Sequence, residues 1–148
     1  MDAMRVSRIV VGLDGSEDGE RALEWAATLA RDLDADIVAV HAVPLIINTP
    51  PALPVVVDDR ALIEELRVIL DDQWCALLRK WEIPYRSFVE RGSPADVIMA
   101  TADRERAKLI VVACRGRGGF KGLLLGSVSQ QLTHHARQPV VVVPAEKR

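Results

Sequence analysis

Short runs of β-branched and apolar residues alternate along this chain with longer stretches in which apolar residues recur every three or four positions. Residues 8–13 (RIVVGL), 36–43 (DIVAVHAV), 85–90 (YRSFVE), 109–113 (LIVVA) and 140–143 (VVVV) are predicted strands. The first, second, fourth and fifth runs are almost continuously apolar, as strands are when a parallel sheet is covered on both faces. The third alternates more and is expected nearer an edge. Ser16 is a candidate N-cap for a first helix, with Glu17, Asp18 and Glu20 in the turn where acids complement the helix dipole. Ala22, Leu23, Ala26, Ala27, Leu29, Ala30 and Leu33 supply its apolar face. Asp58 and Asp59 open a longer helix marked by Leu62, Leu66, Ile69, Leu70, Leu77, Leu78 and Trp81. Ser93 and Pro94 suit the N-cap and first position of a third helix, with Val97, Ile98 and Ala102 inward. A short fourth helix from Ser127 turns Val128, Leu132 and Ala136 inward and stops before Pro139.

The resulting order, βαβαβαβαβ, calls for an α/β fold: a parallel sheet with helices on both faces. The 148 residues suit one domain spanning 1–148. Residues 44–57, with four prolines, form the one long irregular connection and are expected to be a loop within that domain.

Composition narrows the class. Hydrophobic residues make up 49% and aromatic ones 4%, a balance that supports a packed core and argues against disorder. The net charge is only −2, but it is unevenly placed: residues 1–105 carry twenty acids and eleven bases, residues 106–145 six bases and no acid. That asymmetry suits an anionic ligand near the C-terminal part of the chain, and equally chance combined with a buried C-terminal strand. The apolar run at the start is too short for a signal peptide, and no stretch is long enough for a membrane span. Cys75 and Cys114, thirty-nine residues apart and without partnering His spacing, read as free thiols in a reducing, cytoplasmic compartment.

In an open parallel sheet, ligands bind beyond the carboxyl ends of the strands, where the strand order reverses. Two segments leave strand ends with unusual chemistry. GLDGS (12–16) follows the first strand and offers Gly12, Leu13 and the acid Asp14; ACRGRGGFKGLLLGS (113–127) follows the fourth. Glycines in the second segment let backbone N–H groups converge on an anion, and Ser127 adds a hydroxyl and a helix N-terminus. Arg115, Arg117 and Lys121 add positive charge. This is the construction of a phosphate site, although it matches neither GxxxxGK[ST] nor GxGxxG, and a plain strand-to-helix loop is the alternative. RGRGGF occurs once, between apolar elements of a chain with low mixed charge, which argues against a nucleic-acid arm. Asp14 alternatively reads as a helix cap, His41 as a packed histidine, and the adjacent His134 and His135 as partners of a helix C-terminus.

The chain resembles the universal stress protein family over nearly its full length. The resemblance is carried by RIVVGLDGSEDGERALEWAATLA, VHAV, GSPADVI and CRGRGGFKGLLLGSVSQQLTHHARQPVVVVP. ATP-binding members carry a glycine, two residues, a second glycine, nine residues, then Gly-Ser or Gly-Thr. Gly116 and Gly126-Ser127 match that pattern, while Ala113 stands at the first glycine. The resemblance implies a Rossmann-like five-stranded parallel sheet, order 3-2-1-4-5, flanked by four helices. It also implies an ATP-binding module that responds to nucleotide in stress signalling. Asp14 would contact the ribose or a Mg²⁺ or Mn²⁺ ion, and the backbone at Ala42 the adenine edge. Gly92 would lie close to the adenosine, and Gly116, Gly126, Ser127 and the Val128 N–H would hold the phosphates. The same ligand surface takes in Gly12, Leu13, Ala113, Arg115, Arg117, Gly119 and Ser129. Residues 140–143 would pair two copies into a homodimer. Slow ATP hydrolysis, binding of cyclic AMP and action through protein contacts alone are the alternative readings.

Overall fold

Five parallel strands, β1 (Arg8–Gly12), β2 (Asp36–Val43), β3 (Tyr85–Arg91), β4 (Leu109–Ala113) and β5 (Val140–Val143), form one sheet in the order β3-β2-β1-β4-β5. The structure is a computed structural model, in which residues 5–44, 59–115 and 125–146 are described. Helices α1 (Glu17–Leu33), α2 (Arg60–Ile69), α3 (Ala76–Lys80), α4 (Pro94–Arg104) and α5 (Ser127–His135) flank the sheet. The expected strand order is therefore present, and the alternating third run is an edge strand. The all-valine run forms the other edge, with three of its four residues only half-buried.

The near-continuous apolar runs arise because both faces of the sheet are covered. Ile9, Val11, Ile37, Ala39, Leu109 and Val111 pack on the α1 side with Leu23, Ala27, Leu70 and Leu78. Val10, Val38, Val40, Ile110 and Val112 face the other way, onto Ala95, Ile98 and Ala102 of α4 and Leu132 of α5. Small residues on α1 and α4 let those helices approach the sheet closely. At the amino end of the strands, Glu105 is buried against Arg86 and 4.0 Å from Arg8, whose guanidinium also donates to the Glu105 carbonyl (2.9 Å).

The second helix differs from its expected form. It is broken by a π-helical turn, Leu70–Trp74, in which the Cys75 N–H donates to the Leu70 carbonyl five residues back (2.9 Å). Leu70, Cys75 and Leu78 are all buried. In an unbroken α-helix, positions five apart are rotated by about 140°; the wider turn brings Leu70 and Cys75 onto one side. Asp59 is the N-cap residue, and the inward positions of α2 are Ile63 and Leu66, whereas Leu62 is 46% exposed. Leu33, expected on the inner face of α1, is 40% exposed, because the helix closes there on Asp34 in the left-handed conformation (φ 55°). The loop expected over 44–57 lies outside the described residues beyond Pro44.

Cys75, which is buried, and Cys114, which is half-buried, are not joined in a disulfide. Burial, reinforced by Asp71 and opposed by Arg79, pushes the Cys75 thiol up from 9.0 to about 12. The unfolded chain releases this proton near the lower value and the folded chain near the upper, so stability is lost as pH rises across that window. Urea titrations at about pH 8 and about pH 10 should show a loss of roughly 1 kcal/mol at the higher pH. Cys75→Ala should flatten this slope, and an unchanged slope would assign it to other groups.

Candidate functional site

The carboxyl ends of β1 and β4 lie side by side, because Ile9, Val10 and Val11 pair with Leu109, Ile110 and Val111. The chain leaves β1 for β2 on one flank, while β4 occupies the other, so the strand order reverses here, the place where open parallel sheets bind ligands.

The first wall is the β1–α1 loop. Leu13 donates its N–H to the Val40 carbonyl (2.9 Å), continuing the β2 contact one residue past the strand. Asp14 Oδ1 then accepts from the Ser16 N–H (3.0 Å) and from the Ser16 hydroxyl (2.5 Å). Ser16 Oγ in turn accepts from the Gly19 N–H (3.0 Å) and caps α1. Ser16 is thus the N-cap and Asp14 the acceptor that orients it. Gly15, at φ 80°, takes the conformation this tight turn requires. Leu13 buries its side chain among the α1-side core, so it can present only backbone to a ligand.

The second wall is the end of β4 and the start of α5. The Cys114 carbonyl accepts from the Gly126 N–H (2.7 Å) and from the Ser129 hydroxyl (3.1 Å), which also lies 3.1 Å from the Gly126 carbonyl. Cys114 itself donates its N–H to the Val143 carbonyl of β5 (2.8 Å). The N-terminus of α5 is therefore stapled to the strand end beside Asp14. Ser129 is buried and its hydroxyl is spent on the backbone, whereas Ser127 is exposed at the first helical position. Both α1 and α5 begin at this edge of the sheet. Glu17, Asp18 and Glu20 occupy the first turn of α1; that of α5 holds no acid, so its N-terminus keeps its preference for an anion. Half-buried Ala113 ends β4, and Arg115 follows two residues on.

The remaining expected residues flank the first wall. Ala42 is buried in β2 opposite Glu90. Gly92 donates its N–H to the Val43 carbonyl (3.0 Å) and, at φ 139°, turns the chain from β3 into α4. Ser93 holds the N-cap position there, but its hydroxyl donates to Asp96 Oδ2 (2.8 Å). Gly12, Leu13, Asp14, Ala42, Gly92, Ala113, Arg115, Gly126, Ser127, Val128 and Ser129 thus share the carboxyl edge of the sheet. Gly116, Arg117, Gly119 and Lys121 lie outside the described residues. Among the described residues no three His, Cys, Asp or Glu side chains group to hold a metal ion. An ion here would suit the donor set only as a phosphate-bound one with Asp14 nearby.

His41 is more than a packed histidine. Its ring stands edge-on to Trp74, with centroids 5.1 Å apart and planes at 87°. Its Nδ1 lies 2.7 Å from the Leu13 carbonyl, which can only accept, so Nδ1 carries the proton and donates it. Trp74 was not legible as a site neighbour, although its place four residues after Leu70 could have marked it as inward.

The sequence profile of the universal stress protein family matches residues 5–144. A universal stress protein of Mycolicibacterium smegmatis is 33% identical over 136 residues, covering 91% of this chain and 45% of that protein. The chain therefore spans a little under half the length of this relative. Among solved structures, a universal stress family protein from Burkholderia pseudomallei is 32% identical, with 97% of this chain and 99% of that one covered and a TM-score of 0.73. The universal stress protein of Archaeoglobus fulgidus, solved in complex with dAMP, is 26% identical, with 95% and 99% covered and a TM-score of 0.69. Among the described residues no helix is long and apolar enough to cross a membrane.

Proposed function

The chain belongs to the universal stress protein family, and from this premise we propose that it is an adenine-nucleotide-binding module whose ligand is ATP. The observation that carries this reading is the acid-free N-terminus of α5, stapled to the end of β4, the strand that pairs with the one leading into the Asp14 turn. The dAMP complex of the Archaeoglobus fulgidus relative supports it.

In this reading the amides of Ser127 and Val128 take the phosphates, helped by the dipole of α5 and by Arg115. Gly116, Arg117 and Gly119, outside the described residues, add to the phosphate contacts that the family resemblance implies. Asp14 takes the ribose, the Ala42 backbone reads the adenine edge, and Gly92 leaves room beside the adenosine. Gly12 and Leu13 shape the floor, and Ala113 and Ser129 set the distance between β4 and the phosphates. A Mg²⁺ or Mn²⁺ ion would travel with the nucleotide, held chiefly by phosphate oxygens and water, with Asp14 its protein carboxylate in the alternative to the ribose contact. The outer edge of β5, with Val140, Val141 and Val142 half-buried, pairs with its counterpart in a second copy.

Native mass spectrometry after gentle purification tests both parts. The expected species is a dimer of the 16.3 kDa chain carrying adenine nucleotide. Added Mg·ATP at about a hundred times its dissociation constant should stabilise the fold by about 2.7 kcal/mol, read as a rise in Tm. AMP and cyclic AMP run in parallel rank the ligands. A nucleotide-free mass with no thermal shift for any of the three would overturn the reading.

A further inference from the structure

The π-helical turn, Trp74 and His41 form a continuous contact that ends on the candidate site. Leu70 and Cys75, both buried, anchor the turn in the core on the α1 side of the sheet. The turn presents Trp74 to the His41 ring at 5.1 Å. Near-perpendicular rings at this spacing place a positive edge against a negative face, a favoured arrangement. With the ring held, Nδ1–H points at the Leu13 carbonyl at 2.7 Å. Leu13 immediately precedes Asp14, and its N–H is already taken by Val40. Both backbone groups of Leu13 are thus tied to β2, one by the Val40 main chain and the other by the His41 side chain.

We infer that His41 is a positioning residue: through the Leu13 carbonyl it fixes the Asp14 turn in the conformation that meets a ligand, and Trp74 on the π-helical turn holds it in place. π-helical turns recur at functional positions because the extra residue re-aims a side chain that regular helix geometry would direct elsewhere. Here the re-aimed residue supports a hydrogen bond between positions 28 apart in sequence. Without the imidazole donor, the Leu13 carbonyl loses its side-chain partner. Leu13, which leads into the Asp14–Ser16–Gly19 chain of bonds, is then tied to β2 by one backbone group instead of two.

This inference rests on the nucleotide-binding reading for its effect on affinity, and is independent of it for its effect on the turn. The test compares His41→Leu, which removes the donor, with His41→Asn, whose side-chain amide nitrogen reaches the Nδ1 position. His41→Gln, whose amide reaches the Nε2 position, replaces the leucine variant if that one fails to fold. Amide hydrogen exchange at Ser16 and Gly19 and affinity for ATP are measured in each. His41→Leu should speed exchange at both amides and weaken ATP binding, each by about tenfold, the scale of one hydrogen bond. His41→Asn should stay within about twofold of the parent on both readouts, the recovery expected when one hydrogen bond is restored. Unchanged exchange in His41→Leu, or an asparagine variant no better than leucine, would overturn the positioning role. Faster exchange with unchanged affinity would overturn its link to the ligand. If the parent chain binds no nucleotide, the nucleotide-binding reading fails and the exchange data alone decide whether His41 positions the turn.

Discussion

Gly126→Val should abolish nucleotide binding while leaving the sheet folded. A Cβ at Gly126 would stand 3.2 Å from the Cys114 carbonyl oxygen and 3.6 Å from the Arg115 Cα. Both are main-chain atoms, and the carbonyl is held by the Gly126 N–H and the Ser129 hydroxyl, so it cannot swing aside. Gly126 has φ −73° and ψ 169°, a conformation open to any residue. The requirement for glycine is therefore close approach, and the added methyl groups must push the start of α5 away from β4. The pairing of β4 with β1 and β5 lies below this contact and stays intact. Calorimetric titration with Mg·ATP should show affinity lowered by about a hundredfold or more, the equivalent of about 2.7 kcal/mol. Urea unfolding should shift by less than about 1 kcal/mol, as expected away from core packing. Full binding by this variant would place the ligand elsewhere on the molecule.

Gly12→Val should produce the largest loss of stability at the site. An added Cβ there would fall 2.5 Å from Cδ1 of Ile98, 3.2 Å from its Cγ1 and 3.3 Å from Cγ1 of Val112. Gly12 closes the central strand, and Ile98 is buried on the inner face of α4, so the isoleucine fills the space that a side chain on the strand would need. Overpacking of this kind costs about 1–3 kcal/mol. The cause can be isolated with Ile98→Ala, which empties the same volume. The double variant should be more stable than the sum of the two single losses predicts, by more than the roughly 0.5 kcal/mol expected of independent sites. Strict additivity in urea unfolding would show that the glycine is needed for another reason.

Much of this architecture was legible because both faces of the sheet are buried. Ile9 and Val11 serve one face and Val10 the other, so β1 reads as an uninterrupted apolar run, and the same holds for β2 and β4. Ser16 was legible as a cap because its role is local: its acceptor and donor partners lie within three residues. Asp14 and the start of α5 were placed at the same edge by the resemblance, and the pairing of β1 with β4 brings them together. The π-helical turn was not legible, because a period of 3.6 residues has no place for Leu70 and Cys75 on one side. A count of leucines also passes over a buried cysteine. The contact between His41 and Leu13 joins different strands, and no local pattern encodes it. At Ser93 the composition of a cap is present, but the nearby Asp96 carboxylate competes for the hydroxyl. The glycine spacing through Gly116 and Gly119 rests on the sequence alone.

The double acceptor at the Cys114 carbonyl has a consequence for changes of chain length. Gly126 and Ser129 close the base of the 115–125 segment on a single oxygen, so the two ends of that segment are joined independently of what lies between them. Bringing together the ends of a flexible loop twice as long costs only about 0.6 kcal/mol more. Insertions and deletions can therefore accumulate above the staple while the five strands keep their register. Both anchoring hydrogen bonds are made by residues outside 116–124, so a change of length there need move neither the end of β4 nor the start of α5.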